Sequence, residues 1–133
     1  MMLEAEKQFG HYKIRSQLGV GGMGEVYLAQ DTKLERDVAL KILPQEVSGD
    51  GGRMRRFVQE AKAAAALNHP NIAHIYEIGE TEGTHFIAME LVDGEILREK
   101  IYRDKVELKR FLKWLTQVAD GLTKAHAAGI VHR

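Results

Sequence analysis

From His11 to Leu18 the apolar side chains Tyr12, Ile14 and Leu18 fall on alternating positions, the period of a half-buried strand. Glycines at positions 19, 21, 22 and 24 interrupt that run. Strand character resumes in the aromatic and β-branched stretch Glu25–Ala29. Asp31–Arg36 is a polar connection, and Asp37–Leu43 reads as a third strand closed by Pro44. Together these runs predict an antiparallel meander whose first turn is rich in glycine.

Beyond this point the period changes. Ser48–Gly52 carries a loop signal and opens a helix from about Arg53 to Leu67, rich in strong helix formers and stopped by Asn68-His69-Pro70. Its four alanines, Ala63–Ala66, suit a close-packed face. Two more strands follow, Ile72–Ile78 and Thr84–Leu91, with a turn over Glu80–Gly83. A short helix is predicted over Glu95–Tyr102. From Leu108 on, Phe111, Leu112, Leu115, Val118, Ala119, Leu122, Ala125 and His126 recur at three- and four-residue steps. They mark one face of a long amphipathic helix that ends with Gly129 as its C-cap. Trp114 falls off that stripe and is expected to be exposed. Ile130 and Val131 begin an extended segment.

Composition narrows the function classes. The chain has 133 residues, 44% of them hydrophobic and 29% charged, as in an ordinary globular domain. Nineteen basic residues balance nineteen acidic ones, which argues against a broad nucleic-acid footprint. With no cysteine there is no disulfide framework, thiol catalysis or cysteine-based zinc site. The first ten residues have no apolar signal core, and no apolar run approaches the roughly 20 residues of a membrane span. A cytoplasmic protein is the expectation. Two histidine pairs, His69 with His74 and His126 with His132, have no acidic cluster beside them, so no metal site is expected.

The chemistry is concentrated in two places. Gly19, Gly21 and Gly24 form G-x-G-x-x-G, followed by Glu25 and Val26. Dinucleotide-binding folds use the same spacing, but there the glycines lead from a strand into a helix. Here they join two strands. That makes a hairpin flap, in which missing side chains let backbone N–H groups approach phosphate oxygens. On the next strand, Val38-Ala39-Leu40-Lys41 sets a lysine in an apolar run, a position that costs desolvation unless the charge is paired. Glu60 is the candidate partner, because helical spacing puts it with Phe57, Ala64 and Leu67 on the face expected to pack on the sheet.

The glycine loop, the V-A-x-K strand and the helix glutamate resemble the N-terminal lobe of protein kinases. So do Asn68-His69-Pro70-Asn71-Ile72, Met89-Glu90-Leu91-Val92-Asp93-Gly94 and Gly129-Ile130-Val131-His132-Arg133. The flavour is that of the bacterial serine/threonine kinases, and the likeness runs from about residue 9 to 133. It implies an α+β fold, with a five-stranded antiparallel sheet and one helix over residues 9–92 and two helices of an incomplete C-terminal lobe over 93–133. Residues 1–8 are expected as an N-terminal extension.

The resemblance also implies site roles. Gly19, Gly21 and Gly24 would cover the phosphates of ATP, and Lys41, paired with Glu60, would hold the α- and β-phosphates. Leu18, Val26 and Ala39 would sandwich the adenine. Met89 would be the gatekeeper, Glu90 and Val92 would offer backbone hydrogen bonds to the adenine edge, and Asp93 would reach the ribose. His126 and His132 would pack beneath the catalytic loop.

His132-Arg133 would open the family's H-R-D motif, and no aspartate follows. The magnesium-binding Asn, the D-F-G aspartate, the activation loop and the A-P-E segment have no counterpart either. Magnesium is expected with ATP, yet its protein ligands are missing. The expectation is the ATP-binding portion of a serine/threonine kinase, inactive by itself, whose parent acts on a protein substrate. The alternative is a catalytically dead nucleotide-binding or interaction module. A dinucleotide-dependent oxidoreductase fails on the strand–loop–strand context.

Overall fold

The computed structural model describes residues 3–21 and 24–131. Gly22 of the glycine run and the pair His132-Arg133 therefore lie outside the described residues. The described strands are β1 (Gln8–Phe9), β2 (Tyr12–Gly21), β3 (Gly24–Asp31), β4 (Arg36–Ile42), β5 (Ile75–Thr81) and β6 (Thr84–Glu90). The helices are α1 (Gln45–Ser48), α2 (Gly51–Ala65), α3 (Leu97–Arg103) and α4 (Leu108–Ala127). The strands form one antiparallel sheet in the order β1-β2-β3-β4-β6-β5. It is the α+β fold expected, with a sixth strand, β1, and a one-turn helix, α1, that the hydrophobic pattern did not reveal.

Alternation along β3 and β4 decides what each face carries. Tyr27 and Ala29 of β3, with Val38, Leu40 and Ile42 of β4, point to one face and are buried in the core. Tyr12, Ile14, Phe86 and Ala88 join them, and Leu3 and Phe9 cover the cluster from the N-terminal side. The buried carboxylate of Asp31 is satisfied locally, since its Oδ1 accepts from the N–H groups of Lys33 (2.9 Å) and Leu34 (3.2 Å) in the β3–β4 turn.

Several boundaries differ from the expected ones, each for a local reason. β2 does not stop at the glycines, because Gly19 pairs with Val26, Val20 with Glu25 and Gly21 with Gly24. Register shifts between Ile14 and Ser16, and again between Gln17 and Gly19, take Leu18 off the buried face that Tyr12 and Ile14 share. Leu18 is 52% exposed. β5 begins at Ile75 rather than Ile72, because the preceding loop is tied down otherwise. There Asn71 N–H donates to His69 Nδ1 (3.1 Å), and Ile72 N–H donates to the His69 carbonyl (3.1 Å). The expected extension is built into the sheet, with Leu3 buried and Gln8 in β1.

α2 starts two residues before the predicted Arg53, because Asp50 caps it. The Asp50 Oδ1 accepts from Gly52 N–H (3.0 Å) and Arg53 N–H (3.1 Å). The Arg53 N–H chiefly, opposed by slight desolvation and helped by the Gly52 N–H, holds this carboxyl below its ordinary value. A depressed folded-state value means that the cap stabilises above the ordinary aspartate range and is lost as pH falls through the folded value. Asp50→Ala should therefore lower the melting temperature at pH 7, with a smaller difference at pH 3, as read by circular dichroism.

α4 ends in a Schellman motif, with Gly129 at φ 80° just past the C-cap Ala128. Gly129 N–H donates to the His126 carbonyl (3.0 Å) and Ile130 N–H to that of Ala125 (2.9 Å). The side chain of His126 is exposed rather than packed, because it stands on the solvent side of this last turn. Trp114 is half-buried rather than exposed. The face of α4 that meets the sheet domain runs through Gly121, where an added Cβ would lie 3.1 Å from the Asn71 carbonyl oxygen. Asn71 Nδ2 donates to the Gln117 carbonyl at 3.0 Å in the same junction. Five of the eight residues of the predicted stripe, Leu112, Leu115, Val118, Ala119 and His126, thus face solvent. Among the described residues no helix is long and apolar enough to cross a membrane.

Candidate nucleotide site

The sheet face opposite the core carries the expected site residues, and strand register sets their order. Gly19 lies opposite Val26, Val26 opposite Lys41 and Lys41 opposite Ile87. Directly opposed residues in an antiparallel pair share a face, so these four form one rung across the sheet. The next rung runs Leu28, Ala39, Met89 and Ile75. The expected phosphate lysine is thereby flanked by apolar side chains, and Ala39 and Met89 stand side by side on the neighbouring rung. Leu28 and Ile87 complete this floor. The sequence reading missed both, although Leu28 follows Val26 at the strand period of two.

Lys41 is half-buried, and no described residue supplies it with a hydrogen bond or an ion pair. The expected pairing with Glu60 is not formed. The reason lies in how α2 is rotated. Its buried residue is Ala61, and Glu60 sits about 100° round the helix from it, beside Phe57 and Ala64 but outside the packed face. The exposed Glu60 instead lines a cavity of ≈ 250 Å³ with Gln59, Ala63, Gly129, Ile130 and Val131. α2 therefore presents its carboxylate to the chain that leads into His132-Arg133.

The glycines are not equivalent. A Cβ at Gly19 would meet nothing within 4 Å, so this end of the hairpin has open space above it. Gly24 has φ 107°, and a Cβ there would lie 2.0 Å from the Ile42 carbonyl oxygen and 3.3 Å from Pro44 Cδ. Its missing side chain lets β3 start hard against the end of β4, one residue past Lys41. Leu91, Val92, Asp93 and Gly94 belong to no helix or strand. Val92 and Asp93 are exposed, whereas Glu90 is half-buried with its N–H donated to the His74 carbonyl (2.7 Å).

An antiparallel sheet with a glycine hairpin at one end, a lysine on its floor and one helix laid across its far strand is the architecture of a kinase nucleotide lobe. Residues 12–133 match the protein kinase domain, and the chain belongs to that family. Its relatives are bacterial serine/threonine-protein kinases. It is 41% identical over 133 residues to the serine/threonine-protein kinase PrkC of Bacillus subtilis, covering 99% of this chain and 20% of the relative. To PknA of Mycobacterium tuberculosis it is 42% identical over 130 residues, covering 93% of this chain and 30% of that one. Among solved structures, a single-site variant of the Mycobacterium tuberculosis PknI kinase domain superposes with a TM-score of 0.85 at 34% identity. That match covers all of this chain and 55% of the other. The chain thus spans a fifth to under a third of these curated relatives and about half of a solved kinase domain.

Proposed function

We propose that this chain is the ATP-binding portion of a serine/threonine protein kinase. The observation that carries the reading is Lys41, a half-buried cation between Val26 and Ile87 that has no anionic partner among the described residues. Such a charge is unfavourable until an anion reaches it. Polyphosphate entering beneath the hairpin would supply that anion, and the open space at Gly19 leaves room for it. The adenine would lie against Val26, Ala39, Met89 and the exposed Leu18. The backbone of Glu90 and Val92 would be at its edge and Asp93 near the ribose. Gly21 and Gly24 would hold the hairpin close over the phosphates, and rotation of α2 would bring Glu60 towards Lys41. Magnesium would arrive with ATP, held by its phosphates, since no residue matching the family's magnesium ligands occurs in the 133 residues.

Transfer of the γ-phosphate to a protein substrate is assigned to the parent kinase. The 133-residue chain has no residue matching the base aspartate and is expected to show no phosphotransfer by itself. Isothermal calorimetry of the purified chain with Mg·ATP tests the binding. Lys41→Ala should weaken it about tenfold or more, as expected when a hydrogen bond to a charged group is lost. No heat from the unsubstituted chain, or equal affinity in the variant, would count against the reading.

A further inference from the structure

Residues 3–11 precede the stretch that matches the kinase domain, yet they are part of the sheet's fabric. Leu3 N–H donates to the oxygen of the buried Tyr27 hydroxyl (2.9 Å), whose own proton goes to Glu25. Glu6 N–H donates to the Ile14 carbonyl (2.7 Å), and Ile14 N–H donates to that of Lys7 (2.9 Å). Gly10, at φ 61°, turns β1 into β2 so close to the end of β5 that an added Cβ would stand 3.0 Å from Thr81 Oγ1.

That closeness is unexpected from sheet order, where β2 and β5 are separated by three strands. The sheet curls until they meet. Tyr12, 1% exposed, donates its hydroxyl proton to Glu77 Oε2. His11 Nε2 lies 3.3 Å from the same oxygen and 3.8 Å from Asp31 Oδ1. Burial first, and the Glu77 hydrogen bond second, push the Tyr12 hydroxyl well above its ordinary range, so it remains a donor at all working pH values. Under this contact the Phe86 ring is met edge-on by Phe9 (5.5 Å) and Tyr12 (5.6 Å).

β5 is also the strand on which α2 packs, and its Ile75 and Ile78 continue the rungs of Met89 and Ile87. We infer that residues 3–12 form a strap whose latch, Tyr12 and His11 closed on Glu77, positions β5 and through it α2 relative to Lys41. Glu77 is then a positioning residue for the nucleotide site, acting from the opposite face of the sheet. Any agent that lifts the strap would loosen the helix that carries Glu60. The effect on nucleotide binding rests on the ATP reading, whereas the effect on β5 and α2 does not.

Amide hydrogen exchange and Mg·ATP calorimetry on the whole chain test the latch. Tyr12→Phe keeps the ring against Phe86 and removes only the hydroxyl. Glu77→Gln removes the charge that faces His11. Thr32→Val deletes the bond from Thr32 Oγ1 to the His11 carbonyl (2.7 Å), in the same corner but without reaching β5. The first two variants should speed exchange in residues 51–65 and 75–81 about tenfold and weaken Mg·ATP binding several-fold, while β3 and β4 keep their protection. Thr32→Val should do neither. Faster exchange confined to residues 3–15, or spread evenly over the sheet, would overturn the inference. The expected exchange pattern in a chain that gives no heat with Mg·ATP would support the latch and remove only the nucleotide reading.

Discussion

Gly24→Ala is expected to destabilise the sheet by about 2–5 kcal/mol, the sum of backbone strain and overpacking. Nucleotide affinity should fall with it. At φ 107° an L-residue is strained, and the new methyl would stand 2.0 Å from the Ile42 carbonyl oxygen. That atom is backbone in a paired strand, so relief requires moving β3 away from β4 at the rung next to Lys41. Since whole domains are stable by only about 5–15 kcal/mol, urea denaturation should show a large drop in midpoint. Gly19→Ala is the matching comparison. With nothing within 4 Å of its Cβ, it should change stability by no more than about 0.5 kcal/mol and show its effect on Mg·ATP binding alone. Equal stability losses in both variants would refute the distinction between a packing glycine and a clearance glycine.

The other large effect concerns association. Leu108, Leu112, Leu115 and Val118 are 69%, 52%, 42% and 47% exposed along one face of α4. Fully burying an aliphatic side chain of this size is worth about 1.5–3 kcal/mol, so covering several at once outweighs much of what association costs. Gel filtration of the purified 15.0 kDa chain should give an apparent mass well above a monomer. Leu112→Lys combined with Leu115→Lys should return it to the monomer volume, because two charges on that face make burial unfavourable. A monomer at all concentrations in the micromolar range would contradict this expectation.

Strand periodicity made most of the sheet legible. The run Val38-Ala39-Leu40-Lys41 was legible as a strand carrying a lysine, and the register then sets Lys41 and Ala39 on the face opposite the buried Val38 and Leu40. The glycine hairpin was legible because its flanks read as strands on both sides. What stayed hidden depends on contacts between segments distant in sequence. Gln8–Phe9 is too short to show a period, and its strand is held by contacts such as that of Phe9 on the sequence-distant Phe86. The fate of Leu18 turned on two bulges, for which an apolar pattern has no symbol. For Glu60, helical spacing predicted the face packed on the sheet, whereas Glu60 stands exposed beside the half-buried Phe57 and Ala64. The roll of that helix on β5 kept the carboxylate from Lys41, and roll is a tertiary quantity. The family resemblance supplied the candidate site residues, and geometry then separated Gly24, held by packing, from Gly19, which stands clear.

The rung Gly19–Val26–Lys41–Ile87 makes the site sensitive to the lengths of the connections. Its members come from four strands whose mutual offset is set by the lengths of their connections and by two bulges in β2. Side chains alternate between faces at every step, so a single-residue deletion in the connection Thr32–Glu35 that shifted the pairing by one would exchange Lys41 for Leu40 on the face opposite the core. The charge would then fall among Tyr27 and Ala88. Substitutions in these connections leave the lysine where it is, whereas frame-preserving insertions and deletions do not. The place of Lys41 therefore depends on spacing here more than on the identity of the connecting residues.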